Sequence, residues 1–115
     1  HAPRGRDVAW ALASLRAPEL WNTALTRASD VREERHYVPG SPDPELLIMH
    51  QGGGLGRSVP VSSSVSAVVG ASDGELTVSQ IAAAVAMLTS AEVDDVRAEI
   101  EAPLRDLIRW GFLTF

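Results

Sequence analysis

The sequence predicts an α+β domain, in which N-terminal helices and a small antiparallel β-meander precede a winged-helix-like module of three helices. Three observations favour it: apolar residues at helical spacing near the C-terminus, turn-bounded runs of strand character before them, and a glycine just ahead of the last four residues,. A chain of 115 residues has the length of one domain with one core,. Its predicted parts are a helical lead-in over 1–30, the meander over 31–61 and the winged-helix-like module over 62–115.

Residues 73–115 predict a turn, a capped helix, a second and longer helix, and a short strand. Thr77 and Gln80 have the spacing of a capping box,. Gly111 ends the second helix and leaves only an extended tail, and Pro103 should kink or divide that helix. The apolar residues recur at helical intervals in two sets, which are Val78, Ile81, Val85 and Leu88, then Val93, Val96, Ile100, Leu104, Leu107 and Ile108,.

The first half of the chain predicts two short helices and three strands. The first helix covers residues 7–15, and the second begins at Pro18. Clusters of turn formers separate the segments REERHYVP, ELLIMHQ and RSVPVS, which have strand character,. A serine run then caps a short helix, which a turn over 70–74 closes. The apolar side of the second helix comprises Leu20, Trp21, Ala24, Leu25 and Ala28,.

The charge is divided unevenly along the chain. All ten basic residues are arginine, and the net charge is −5. Residues 1–60 carry seven arginines and seven acids, whereas residues 61–115 carry three arginines and eight acids. Because nucleic-acid binding depends on attraction to phosphates, the acidic winged-helix half is poorly suited to it. Any direct contact with nucleic acid is expected from arginines such as Arg32, Arg35 and Arg57.

Several familiar catalytic and cofactor motifs do not fit. The glycine run over 52–56 lacks the lysine and spacing of a phosphate loop, and it does not run from a strand into a helix,. His36 and His50 lie on predicted strands without a third ligand at suitable spacing, and the adjacent Glu33 and Glu34 should point to opposite faces. The serines at 62–66 lack a nucleophile elbow. We therefore expect no catalytic, cofactor or metal site in this chain.

The composition also bears on location and partners. There is no cysteine, which removes disulfides, thiolate zinc sites and cysteine nucleophiles,. The longest nearly apolar run, Ile81–Leu88, is far shorter than the roughly 20 residues that a membrane span needs. The first residues do not have the charged, apolar and small-residue pattern of a signal peptide, so we expect none,. These features predict a cytoplasmic protein without a membrane partner.

Three stretches together resemble a known family. They are HYVPGSPDPELLIMHQGGGLGR over 36–57, SAVVGASDGELTVSQIAAAVAML over 66–88, and the terminal LIRWGFL. They resemble the C-terminal region of actinobacterial S-adenosylmethionine-dependent methyltransferases related to the N5-glutamine and N6-adenine enzymes. In that family a catalytic half with a cofactor loop and an Asn-Pro-Pro-Tyr motif precedes this region. Neither motif occurs here, so the resemblance transfers no catalytic or cofactor residue.

The resemblance implies an accessory C-terminal domain of such an enzyme. The parent protein would bind S-adenosylmethionine, while this domain would pack on the catalytic domain of the same polypeptide and help to present a protein or nucleic-acid substrate. Trp110 lies off the apolar stripe of its helix, so we expect it to be free for docking, with Arg57, Arg32 and Arg35 as further candidate contacts. The alternatives are a stand-alone winged-helix DNA-binding module and a protein-interaction module, such as the winged-helix tail of a cupin-type oxygenase. The oligomeric state stays open.

Overall fold

The computed structural model describes residues 17–52 and 56–115, which form four helices and six strands in two sheets. The predicted helix over 7–15 falls outside the described residues. No helix among those described is long and apolar enough to cross a bilayer. The helices are α1 (Ala17–Trp21), α2 (Ser63–Ala71), α3 (Val78–Thr89) and α4 (Val93–Arg109). The strands are β1 (Ala24–Arg27), β2 (Val31–His36), β3 (Leu46–Gln51), β4 (Ser58–Val61), β5 (Asp73–Thr77) and β6 (Leu113–Thr114).

The predicted meander is confirmed as an antiparallel sheet with the order β2-β3-β4. The register of β2 on β3 runs from Val31 opposite Gln51 to His36 opposite Leu46. Because side chains alternate between the faces of a strand, the odd-numbered residues of β2 share one face and the even-numbered residues share the other. Glu33 and Glu34 therefore point to opposite faces, as the sequence predicts.

The second sheet has the order β5-β1-β6, with β1 as its central strand. The prediction of a helix that continues to Ala28 is wrong, because α1 ends at Trp21. The hydroxyl of Thr23 donates to the carbonyl of Glu19 at 2.6 Å and satisfies one of the last carbonyls of α1,. The chain then pairs antiparallel with β5 on one side and β6 on the other, which buries Leu25 completely. This pairing on two sides outweighs the helical spacing of the apolar residues.

Helices α2, α3 and α4 pack on one another and, with β5 and β6, form the winged-helix-like module. Ser62 caps α2 as predicted, with its hydroxyl accepting from the amide of Val65. The predicted turn over 70–74 is wrong in its extent, because α2 continues to Ala71 and β5, which pairs with β1, begins at Asp73. Strand β1 belongs to the lead-in, whereas β5 and β6 belong to the module, so these two parts share one sheet. The meander lies between them in the chain and is therefore an insertion.

The predicted helix cap and most of the apolar stripes are confirmed. Thr77 and Gln80 form the capping box, with bonds of 3.2 and 2.9 Å between the side chain of each and the backbone amide of the other. Leu88 and Val93 have the same helical spacing but are exposed, since they flank the turn that joins α3 to α4. The remaining stripe residues are buried in the core, namely Val78, Ile81, Val85, Val96, Ile100, Leu104, Leu107 and Ile108.

Pro103 lies inside α4, which continues without a break from Val93 to Arg109, so the prediction that proline divides this helix is wrong and a kink stays a prediction. Proline removes a single amide donor from the helix, and the apolar residues on both sides of it, Ile100 and Leu104, are fully buried and hold the helix on the core. Gly111 ends the helix as predicted, with a φ of 81° that favours glycine,. The amide of Phe112 then bonds to the carbonyl of Leu107 at 2.9 Å and closes the turn into β6.

Candidate functional site: an arginine-edged groove

A groove of about 450 Å³ lies between the meander and helix α2. Its floor includes Leu47 and Met49, two buried side chains of β3. Helix α2 contributes Ser63, Ala67 and Gly70, which are exposed and recur at helical spacing along one side,. Small side chains along this wall keep the groove open above its apolar floor. Its volume falls within the range of common ligand sites.

The face of β2 with the odd-numbered residues borders the groove and carries an ion pair. The Nε of Arg35 lies 2.7 Å from the carboxylate of Glu33, and the hydroxyl of the buried Ser66 donates to the same carboxylate. Partial burial acts to raise the pKa of Glu33. The hydrogen bonds from Ser66 and Arg35 outweigh this effect, so the pKa is lowered from its ordinary value,. The carboxylate is thus held in its charged form.

Two further arginines line the groove. Nη1 of Arg27 donates to the carbonyls of Val69 and Gly70 at 3.0 and 2.9 Å, which places a cation at the C-terminus of α2,. Arg32 folds back on the chain, and its Nη1 donates to backbone carbonyls at 3.1 and 2.9 Å. Three arginines and one glutamate line the groove, an excess of two positive charges on a chain whose net charge is −5.

Of the candidate contact residues in the sequence, Arg32 and Arg35 lie at the groove and Arg57 and Trp110 lie together elsewhere. The guanidinium carbon of Arg57 is 4.7 Å from the centroid of the Trp110 ring. Gln51 also donates through Nε2 to the carbonyl of Trp110 at 2.8 Å. The ring is half-buried and packs against the hydrophobic core. Although Trp110 lies off the apolar stripe of its helix, its ring thus contacts the core, and its use in docking stays a prediction.

The outer face of the meander carries a chain of hydrogen bonds. His36 and His50 donate through Nε2 to the two carboxylate oxygens of Glu34 at 2.5 and 2.6 Å, and Nδ1 of His50 lies 2.6 Å from the hydroxyl of Ser58. The bonds from His50 and His36 lower the pKa of Glu34,. Within residues 17–52 and 56–115, no group of three His, Cys, Asp or Glu side chains is placed to hold a metal ion.

Helix α4 would be the nucleic-acid reader in a winged-helix protein, but its arginines have partners within the chain. Its acids Asp94, Asp95 and Glu99 are exposed. A phosphate backbone would meet this negative surface first. The arginine contacts are Arg97 with Ser79 at 2.6 Å and with the ring of Trp21 at 5.0 Å, Arg105 with Glu101 at 3.6 Å, and Arg109 with Asp106 at 3.2 Å.

The sequence does not predict a place in the groove for Arg27 or Ser66. Arg27 lies in a segment that the apolar spacing predicts as helical, and Ser66 belongs to a serine run that predicts a helix cap. Nothing in the local sequence links Ser66 to Glu33, which it reaches only because α2 packs across the meander. A scan of protein-family models finds none that matches the chain, and a search of curated proteins finds no match either.

Proposed function

We propose that this chain is a non-catalytic accessory domain of a larger, cytoplasmic S-adenosylmethionine-dependent methyltransferase, in which it packs on the catalytic domain and presents a macromolecular substrate. The observation that carries the proposal is the arginine-edged groove with an apolar floor. A concave apolar site with a few converging polar groups is typical of binding. The resemblance of residues 36–57 and 66–88 to the methyltransferase family supports the enzyme class, and it assigns the cofactor to the parent protein.

The electrostatics of the groove favour binding over catalysis. A general acid or base works best with a pKa near the operating pH. Glu33 departs from this requirement, because its pKa is lowered and its two carboxylate oxygens already accept from Ser66 and Arg35. Its role in the groove is therefore to orient Arg35. The same groove would suit a protein-interaction module outside the methyltransferase family, whereas the acidic α4 disfavours a stand-alone DNA-binding module.

The parent enzyme provides the test. We expect Ala67→Trp, which places a large ring on the exposed wall of α2, to reduce methylation of the macromolecular substrate while leaving cofactor affinity unchanged. Ala98→Trp on the exposed side of α4 is the matched control. Isothermal titration of the isolated chain with S-adenosylmethionine should show no saturable binding. Binding tighter than about 100 μM, or roughly −5.5 kcal/mol, would contradict a non-catalytic role.

A further inference from the structure

We infer that the groove binds an extended peptide segment with acidic side chains, which pairs as an additional strand with the free edge of β2. The inference rests on the proposed role of the chain as a binding module and not on its assignment to a methyltransferase. It follows from three features of the groove: backbone groups on one border that pair with no described strand, an excess of positive charge, and a wall of small residues.

The first feature is the backbone of β2. This strand lies at the edge of the sheet, and no described strand pairs with its outer side. The amide of Gly52 donates to the carbonyl of Asp30, and the amide of Glu45 donates to the carbonyl of His36. The backbone groups of the even-numbered residues therefore face β3. In an antiparallel ladder the alternate residues point the other way. The amides and carbonyls of Glu33 and Arg35 therefore face outward, where an extended peptide can pair with them.

The second feature is charge complementarity. A peptide strand beside β2 would place alternate side chains next to Glu33 and Arg35, at the 4.5 to 5.5 Å separation of Cβ atoms that is usual for directly opposed pairs. An acidic residue opposite Arg35 would share its guanidinium with Glu33, because arginine has five N–H donors and the ion pair uses Nε,. Arg27 and Arg32 add positive charge to the same groove. A basic peptide would be repelled, because the groove is lined by three arginines and one acid.

The third feature is space for side chains along α2. A Cβ atom built on Gly70 would meet no atom within 4 Å, and Ala67 and Ser63 are exposed along the same wall. Leu47 and Met49 of β3 line the same groove beyond β2. A side chain two positions from the acidic residue shares its face of the added strand and can point into the space between β2 and α2, toward these apolar residues. A nucleic acid would leave both the apolar floor and the outward amides unused.

Selection from a library of random peptides determines which side chains the groove prefers in its ligand. The chain is immobilised and used to select from a phage library of random eight-residue peptides, in parallel with the Ala67→Trp and Ala98→Trp variants. We expect enrichment of peptides that carry Asp or Glu two positions from an apolar residue, on the unmodified chain and on Ala98→Trp, and no such enrichment on Ala67→Trp. A lack of enrichment on the unmodified chain, or a consensus without acids, would overturn the proposal.

The most enriched peptide is then synthesised with a fluorescent label for anisotropy measurements. We expect at least about tenfold weaker binding to Ala67→Trp, unchanged binding to Ala98→Trp, and at least about tenfold weaker binding when the acids of the peptide are replaced by Gln or Asn, since tenfold corresponds to 1.4 kcal/mol. Displacement by an unlabelled single-stranded oligonucleotide at lower concentration than by the unlabelled peptide would favour a nucleic acid and overturn the proposal. The thermal transition of each variant establishes that it is folded.

Strand addition makes a separate prediction for the backbone. Hydrogen exchange followed by NMR should show that the amides of Glu33 and Arg35 become protected when the peptide is bound, while exposed amides of α4 do not change. Exchange that stays unchanged at both residues would contradict pairing at β2. If the peptide binds as described but the parent protein transfers no methyl group, the proposed function fails alone. If methyl transfer is found without peptide binding, only this inference fails.

Discussion

The guanidinium of Arg57 stacks on the indole ring of Trp110, with the guanidinium carbon 4.7 Å from the ring centroid. Arg57 immediately precedes β4 of the meander, and Trp110 follows the last residue of α4. The hydrogen bond from Gln51 to the carbonyl of Trp110 connects the same two parts. The meander, inserted between the strands of the other sheet, is therefore attached to the C-terminal module at a point away from the groove.

The stacked pair leads to a prediction about stability. Trp110→Ala should lower the free energy of unfolding by about 2 kcal/mol, less than the 3 to 5 kcal/mol for a fully buried tryptophan because the ring is half-buried,. Arg57→Ala should cost about 0.5 to 1 kcal/mol, the usual range for an exposed cation–π contact. A double-mutant cycle by urea denaturation measures the coupling between them, with Trp110→Phe as a conservative control. A coupling of zero would show that the contact contributes nothing in solution.

A matched pair of leucines tests the burial of α4. Leu107 is 1% exposed and Leu88 is 85% exposed. Leu107→Ala should cost about 2 to 5 kcal/mol, through lost burial and the cavity left behind. Leu88→Ala should change stability by less than about 0.5 kcal/mol. Chemical denaturation of both variants provides the measurement, and equal losses would mean that the α3–α4 turn is covered in solution.

The elements that the sequence predicts well depend on short-range spacing. The capping box of Thr77 and Gln80 and the stop at Gly111 each involve neighbouring residues. Strands β1 and β5 depend on pairing between distant segments, such as Ala24 with Thr77. Local spacing around Leu20 and Leu25 favours a helix, and only the presence of strands on both sides of β1 reverses that preference. A prediction from neighbouring residues alone does not include this pairing between distant segments.

At the candidate site too, the sequence predicts the local features but not the contacts between distant segments. Composition and charge along the chain direct attention to Arg32, Arg35 and Arg57, since the N-terminal half has the balanced charge. The groove itself depends on how α2 crosses the meander, which brings Ser66 to Glu33 and Arg27 to the end of the helix. The position of Trp110 against the core depends on the same tertiary packing. Residue type therefore predicts candidate contacts, but not which of them lie together.

Two glycines should respond in opposite directions to alanine. Gly70 lies near the end of α2, and an added Cβ would meet no atom within 4 Å, so Gly70→Ala should stabilise the chain by up to about 1 kcal/mol,. Gly111 has a φ of 81°, which an L side chain adopts at a cost, so Gly111→Ala should destabilise by about 1 to 2 kcal/mol,. Thermal unfolding compares them. A loss of stability in Gly70→Ala would show that the groove wall is occupied by another part of the chain.

The last prediction concerns pH and the outer face of the meander. The hydrogen bonds from His50 and His36 lower the pKa of Glu34 below its ordinary value of 4.5. Since the folded chain binds this proton less readily than the unfolded chain, the charged carboxylate adds stability above about pH 4.5, and that stability is lost as pH falls through the folded-state pKa.

Glu34→Gln should therefore lower the urea midpoint at about pH 6. The difference from the unmodified chain should disappear in more acidic buffer, where the Glu34 carboxyl is neutral in both the folded and the unfolded chain. The control is the same substitution in a chain that also carries His36→Gln and His50→Gln, where the pH-dependent difference should be absent. Urea denaturation across the acid range measures it. A difference that stays constant down to about pH 3 would mean that Glu34 contributes through packing and not through its charge.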